Sequence, residues 1–286
     1  MIRELGISSS KIKKVFALTL LCVGAIPFVN NAGAYAQEGE KPEAENRWLD
    51  DPHAKVGLTY GLKATVNSTY IWRGLHAGGC NIQIDANVGY GGAYIDTWWN
   101  LGANNAYTAF QPEMDWSIGF NRWGANIYLL WVYNFDCPLF DFGNYPDKGS
   151  RLELNAAYTV SSKIPLTIHW ATRVGASDAY VVEKTADDGQ QVLDTVQAYS
   201  SFAEINYTQH LRDGFSLYGS VGITPWRSCY TGYTGGFALN NIDLRLRKDW
   251  TVHERIGLML MAQLVVNPAA PVNVIMPNIG FGVYLK

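Results

Sequence analysis

Ionic side chains in this 286-residue sequence stand at alternate positions of otherwise apolar segments, and that spacing decides what chemistry they can do. Asp85, Asp96, Glu113 and Asp115 fall in neighbouring segments early in the chain. Arg151, Glu153 and Arg173 follow, then Glu204, then Asp243, Arg245, Arg247 and Arg255, while Lys63 holds the same parity in the first segment. Side chains at i and i+2 of a strand share a face, so these groups gather with Asn, Gln, Thr, Ser and Gly on one wet surface. Acidic groups come first and basic groups later. In a closed sheet this sets an acidic wall against more basic ones, a transverse field that would orient polar solutes and tune ion selectivity. The same charges paired across the interior would instead plug it, and Leu130, Val132, Met259 and Met261 share that inward parity.

Other chemistry has weaker support. His169 lies on the inward parity, with Ser200, Ser201 and Glu204 on the following segment, but no hydrolase motif surrounds them. We therefore read the chain as not an enzyme. His76, His210 and His253 lack metal-ligand spacing. "TGYTGG" has no helix after it to complete a phosphate-binding loop. No metal and no cofactor is expected. Beyond the N-terminal segment the cysteines are Cys80, Cys137 and Cys229, which match no zinc or redox motif. An exported protein permits one disulfide among them, and the spacing does not choose the pair.

The elements that position these residues read as strands throughout. "CNIQIDANVGYGGAYIDTWWNLG", Cys80 to Gly102, alternates apolar and polar residues on both sides of Gly91-Gly92, as a half-buried hairpin does. The pattern repeats about twelve times between Lys55 and Lys286. Short turns are expected at Gly91-Gly92, Asn121–Gly124, Ser161–Pro165, His210–Gly214 and Lys248–Thr251. They alternate with longer connections at Ala103–Gln111, Asp136–Gly149, Ala176–Thr195 and Pro225–Gly235. Short turns on one rim and long loops on the other mark an outer-membrane barrel. Aromatic residues flank both rims, among them Tyr90, Phe120, Trp123, Tyr158 and Trp250 near the short turns, where half-wet rings suit a lipid–water interface.

Composition agrees. Charged residues make up 16% and aromatics 13%, and the net charge of −3 argues against a nucleic-acid partner. Residues 1–36 have the basic start, short apolar run and Ala34-Tyr35-Ala36 exit of a signal peptide. Residues 37–54, charged and with two prolines, read as a flexible leader, which leaves 55–286 as one barrel domain. The expected fold is therefore all-β, an antiparallel transmembrane β-barrel of about twelve strands with short periplasmic turns and longer extracellular loops. Its partners would be outer-membrane lipids, the barrel assembly machinery and small polar solutes. The expected role is a passive porin-like channel, with a plugged structural or surface-interaction barrel as the alternative.

Tyr70, Arg73-Gly74, Gln83, Tyr90, Gly92, Tyr94 and Trp98 carry a resemblance to the start of the Gcw-chp (TorF-like) family of bacterial outer-membrane proteins. The resemblance implies location and architecture rather than a reaction. The C-terminal "NIGFGVYLK" resembles the terminal signal of barrel proteins, with Asn278, Gly280 and Val283 matching and Leu285 where an aromatic is usual.

Overall fold

A computed structural model describes residues 57–103, 110–141, 143, 150–185 and 190–285; the expected signal peptide and leader lie outside them. The strands in the first half are β1 (Leu58–Asn67), β2 (Tyr70–Trp72), β3 (Leu75–Gly78), β4 (Asn81–Tyr90), β5 (Ala93–Ala103), β6 (Phe110–Arg122), β7 (Ala125–Tyr133) and β8 (Arg151–Thr159). The second half has β9 (Leu166–Ala176), β10 (Ala179–Thr185), β11 (Gln191–Gln197), β12 (Ser201–His210), β13 (Phe215–Thr224), β14 (Ala238–His253), β15 (Ile256–Val266) and β16 (Ile275–Leu285).

Among the described residues, twelve strands close one antiparallel barrel in the order β1-β16-β15-β14-β13-β12-β9-β8-β7-β6-β5-β4. The other four form two hairpins, β2–β3 between β1 and β4, and β10–β11 between β9 and β12. Tight turns join the meander where the backbone takes left-handed conformations. Gly91 and Gly92 (φ 65° and 102°) link β4 to β5, and Trp123 and Gly124 (φ 57° and 80°) link β6 to β7. Two such residues in succession give the turn whose twist matches that of paired strands.

The barrel is inside out relative to a soluble protein. On β4, Asn81, Gln83, Asp85 and Asn87 are buried, while Val88 and Tyr90 are exposed. On β13, Ser216, Tyr218 and Ser220 are buried between the exposed Phe215, Leu217 and Val221. Every barrel strand turns a large apolar side chain outward: Leu58, Val88, Ile95, Ile118, Ile127 and Leu154 on one half, and Ile168, Ile205, Val221, Leu244, Leu260 and Ile279 on the other. Soluble monomers rarely expose contiguous apolar patches above a few hundred Å². A closed barrel satisfies its backbone groups internally, so this belt belongs against lipid, and the fold is a transmembrane β-barrel.

Both ends of the barrel chain, Leu58 and Leu285, lie on the rim of the short turns. One turn differs from expectation. The segment Lys248–Thr251 continues β14 in register with Leu260 to Gly257, and the turn falls at Glu254-Arg255. At the rim both faces of a strand are wet, so charged residues there no longer mark a turn. Pro277 is accommodated inside β16 because its carbonyl faces the β1 side, where it accepts from Thr69 Oγ1 (3.1 Å). Its missing N–H points the same way, so β15 loses no ladder bond.

Candidate functional site

The β2–β3 hairpin leaves the long-loop rim after Asn67 and docks against residues on other walls of the barrel. Its two-residue turn is Arg73-Gly74, with φ of 50° and 77°. Glycine is required at the second position. A Cβ on Gly74 would stand 1.7 Å from the Asn240 carbonyl oxygen. The turn backbone is held by two buried amides: Asn240 Nδ2 donates to the Arg73 carbonyl (3.2 Å) and Asn267 Nδ2 to the Gly74 carbonyl (2.8 Å).

Arg73 is the anchor. Its guanidinium meets Glu153 on β8 in a bidentate pair, with both N···O distances 2.6 Å. It also donates to Tyr230 Oη (2.5 Å) and Asn155 Oδ1 (3.1 Å), and the Tyr230 hydroxyl donates to Glu153 Oε2 (3.2 Å). The ring faces of Trp72 and Phe202 lie 4.7 and 5.2 Å from the guanidinium carbon. Glu153 is only 2% exposed, so full pairing is what makes its charge tolerable there. Trp72 and Leu75 pack on Ala171, Phe202 and Tyr230, the apolar cluster inside this end of the barrel. A bulge between Leu152 and Glu153 puts Glu153 beside Arg173 of β9, and bulges of this kind re-aim side chains. At the other end of the hairpin, Tyr70 donates to Glu113 Oε1 (2.6 Å) and rests on Trp98 (5.4 Å between rings).

The loops above are clamped through Asp178. It accepts from the Ser200 N–H (2.8 Å), the Ser200 hydroxyl (2.5 Å), Gln197 Nε2 (3.1 Å) and the Tyr233 hydroxyl (3.3 Å), and it lies 3.9 Å from Arg173. Ser200 is thus engaged by Asp178, and Ser201 donates to the Tyr199 carbonyl (2.9 Å). His169 Nε2 meets Asn155 Oδ1 at 3.0 Å.

The ionic residues singled out in the sequence sit as follows. Lys63 pairs with Asp85 (3.4 Å), Arg245 with Asp243 (2.5 Å) and Arg247 with Asp249 (2.8 Å). Asp96 is buried on β5 and Asp115 lies on β6. Asn134, in the amide orientation that suits both neighbours, donates to Glu113 Oε2 (2.7 Å) and accepts from Arg151 (3.2 Å). Glu204 accepts from Tyr218, Ser220 and Asn241 at 2.8 to 3.1 Å. Arg255 is the exception: it is exposed in the β14–β15 turn and lines nothing, because the strand runs past the turn expected for it. The disulfide expectation is also corrected, since Cys80, Cys137 and Cys229 are all free thiols.

Beneath the hairpin lies a cavity of about 180 Å³. Trp72 and Arg73 line it from the hairpin, and Ser216 and Arg247 line it towards the short turns. Lys63, Asp115, Arg245, Gln83 and Gln263 supply polar groups, and Trp98, Tyr128 and Tyr218 supply rings. The hairpin itself was not foreseen in the sequence. "YIWRGL" is too short to show alternation, and the Arg-Gly turn was its one available signal.

No protein-family model matches the chain, and no curated protein sequence does. Among solved structures, the chain is similar to the NanC porin, at 10% identity over 80% of this chain and 100% of that one, with a TM-score of 0.43. It is also similar to the COG4313 outer membrane channel from Pseudomonas putida F1, at 12% identity over 86% and 99% of the two chains (TM-score 0.39). A deletion mutant of the TodX monoaromatic hydrocarbon channel aligns at 7% identity over 84% and 94% (TM-score 0.37).

Proposed function

We propose that this chain is an outer-membrane barrel serving as a passive conduit for small polar solutes, narrowed by the β2–β3 hairpin. The observation that carries this reading is the polar cavity running from the hairpin towards the short-turn rim inside an outwardly apolar barrel. The short-turn rim, where β1 begins and β16 ends, faces the periplasm in this reading, and the hairpin guards the outer mouth. The residues that resemble the Gcw-chp (TorF-like) family include Tyr70, Arg73, Gly74 and Trp98, all of which dock the hairpin. We extend that resemblance to a shared constriction.

A second reading has its own support. The bidentate Arg73–Glu153 pair and two backbone clamps hold the hairpin firmly, as a permanent plug would be held. Reversal potentials in planar bilayers under a salt gradient separate the two. A conduit passes steady current, and its ion preference shifts in opposite senses with Arg245→Glu and Asp115→Lys. Silence at all voltages would establish the plug.

A further inference from the structure

The cavity is lined by opposite charges carried on opposite walls of the barrel. Arg245 is on β14 and Asp115 on β6, six strands apart in either direction around the twelve-strand ring. Both line the cavity. The cationic pole is pre-set: Arg245 Nε and Nη2 are fixed on Asp243 at 2.8 and 2.5 Å, and the guanidinium lies 4.5 Å over the Tyr218 ring. Its counter-charge is hidden behind it, since the Asp243 side chain is 2% exposed against 18% for Arg245. A solute in the cavity therefore meets the guanidinium before the carboxylate. Arg247 shares its exposure with Asp249 and adds little to this pole.

The anionic pole differs in kind. Asp115 Oδ1 is buried without a hydrogen-bond partner among the described residues. Its cross-strand neighbours are Trp98 on β5 and Val132 on β7, and Tyr128 also lines this side. A cavity-lining carboxylate whose acceptors are not all engaged, beside aromatic side chains, suits an ammonium group. A lone anion would satisfy Arg245 and leave Asp115 open, and a lone cation would do the reverse.

We infer that the cavity is a binding station for small zwitterions, molecules of amino-acid type whose ammonium meets Asp115 and whose carboxylate meets Arg245. The inference rests on the conduit reading only in that a solute must reach the cavity. The test is calorimetric titration of the folded, detergent-solubilised protein with γ-aminobutyrate, butyrate and butylammonium, which share one chain length. The zwitterion is expected to bind at least tenfold more tightly than either single ion. Asp115→Asn should reduce it to the affinity of butyrate, and Arg245→Gln should weaken it towards that of butylammonium, with Lys63 another partly exposed cation lining the cavity. Heat-modifiable gel migration confirms that each variant is folded, and either variant alone decides. Equal affinity for all three probes, or a preference that survives both substitutions, would overturn the inference. Bilayer current without the preference defeats this inference and spares the conduit; the preference without current does the opposite.

Discussion

Glu153→Gln tests the hairpin latch. The change keeps the size of the side chain but leaves the Arg73 guanidinium without its carboxylate in a site where Glu153 is nearly inaccessible. Removing one partner of a buried ion pair costs about 3–5 kcal/mol. The lower end applies, because Asn155, Tyr230 and the Trp72 and Phe202 rings still hold the cation. About 3 kcal/mol corresponds to roughly a hundredfold rise in the undocked population. Hydrogen exchange of the segment 69–79 in the folded barrel reads that population, so its protection should fall by about two orders of magnitude. In bilayers the same variant should visit a wider conducting state more often. Removing both charges with Arg73→Met and Glu153→Leu should recover part of the loss, since neither charge is then orphaned. Protection unchanged within threefold in a folded Glu153→Gln barrel would refute the latch.

Other expectations follow from the same geometry. Gly74→Ala should undock the hairpin as Glu153→Gln does, because its Cβ meets the Asn240 carbonyl. Gly91→Ala, also at positive φ but in open space, should cost only about 1–2 kcal/mol of backbone strain; urea titration and hydrogen exchange distinguish the two. Ile205→Arg puts a charge on the lipid face in the middle of β12, and refolding into vesicles should lose about 2–4 kcal/mol. Burial pushes the Tyr230 hydroxyl well above the usual tyrosine range. A value raised by folding gives stability that is complete below the unfolded value of about 10 and is lost progressively as pH rises from there through the folded one. Hairpin protection should therefore stay flat from neutrality to about pH 10 on Tyr230's account, while Tyr230→Phe, which removes hydrogen bonds to two ionic groups, lowers it by about 1.5–3 kcal/mol.

Much of the barrel was legible because a period of two records which side of each strand is wet. Asp85, Asp115 and Arg245 could be assigned inward from their neighbours alone, since a one-residue slip would put them in lipid. The turn after β14 was misplaced because that constraint lapses at the rim: Lys248 and Asp249 look like turn residues and are strand. The hairpin β2–β3 and the outer hairpin β10–β11 escaped for a related reason. Neither spans the membrane, so neither must alternate. The site was legible as a set of charges but not as pairs. Sequence order places Arg73 and Glu153 eighty residues apart, and only closure of the ring and the fold of the hairpin bring them to 2.6 Å. Asn240 and Asn267, which clamp the turn, carried no signal as isolated amides.

In the proposed conduit, water fills the barrel and a folded-in hairpin sets its width. Single-channel conductance measures that directly, comparing the native chain with one in which residues 69–79 are replaced by a short Gly-Ser turn. Steady ohmic steps are expected from the native protein and larger steps from the replacement. Silence from both chains, or steps of equal size, would overturn the hairpin-narrowed conduit.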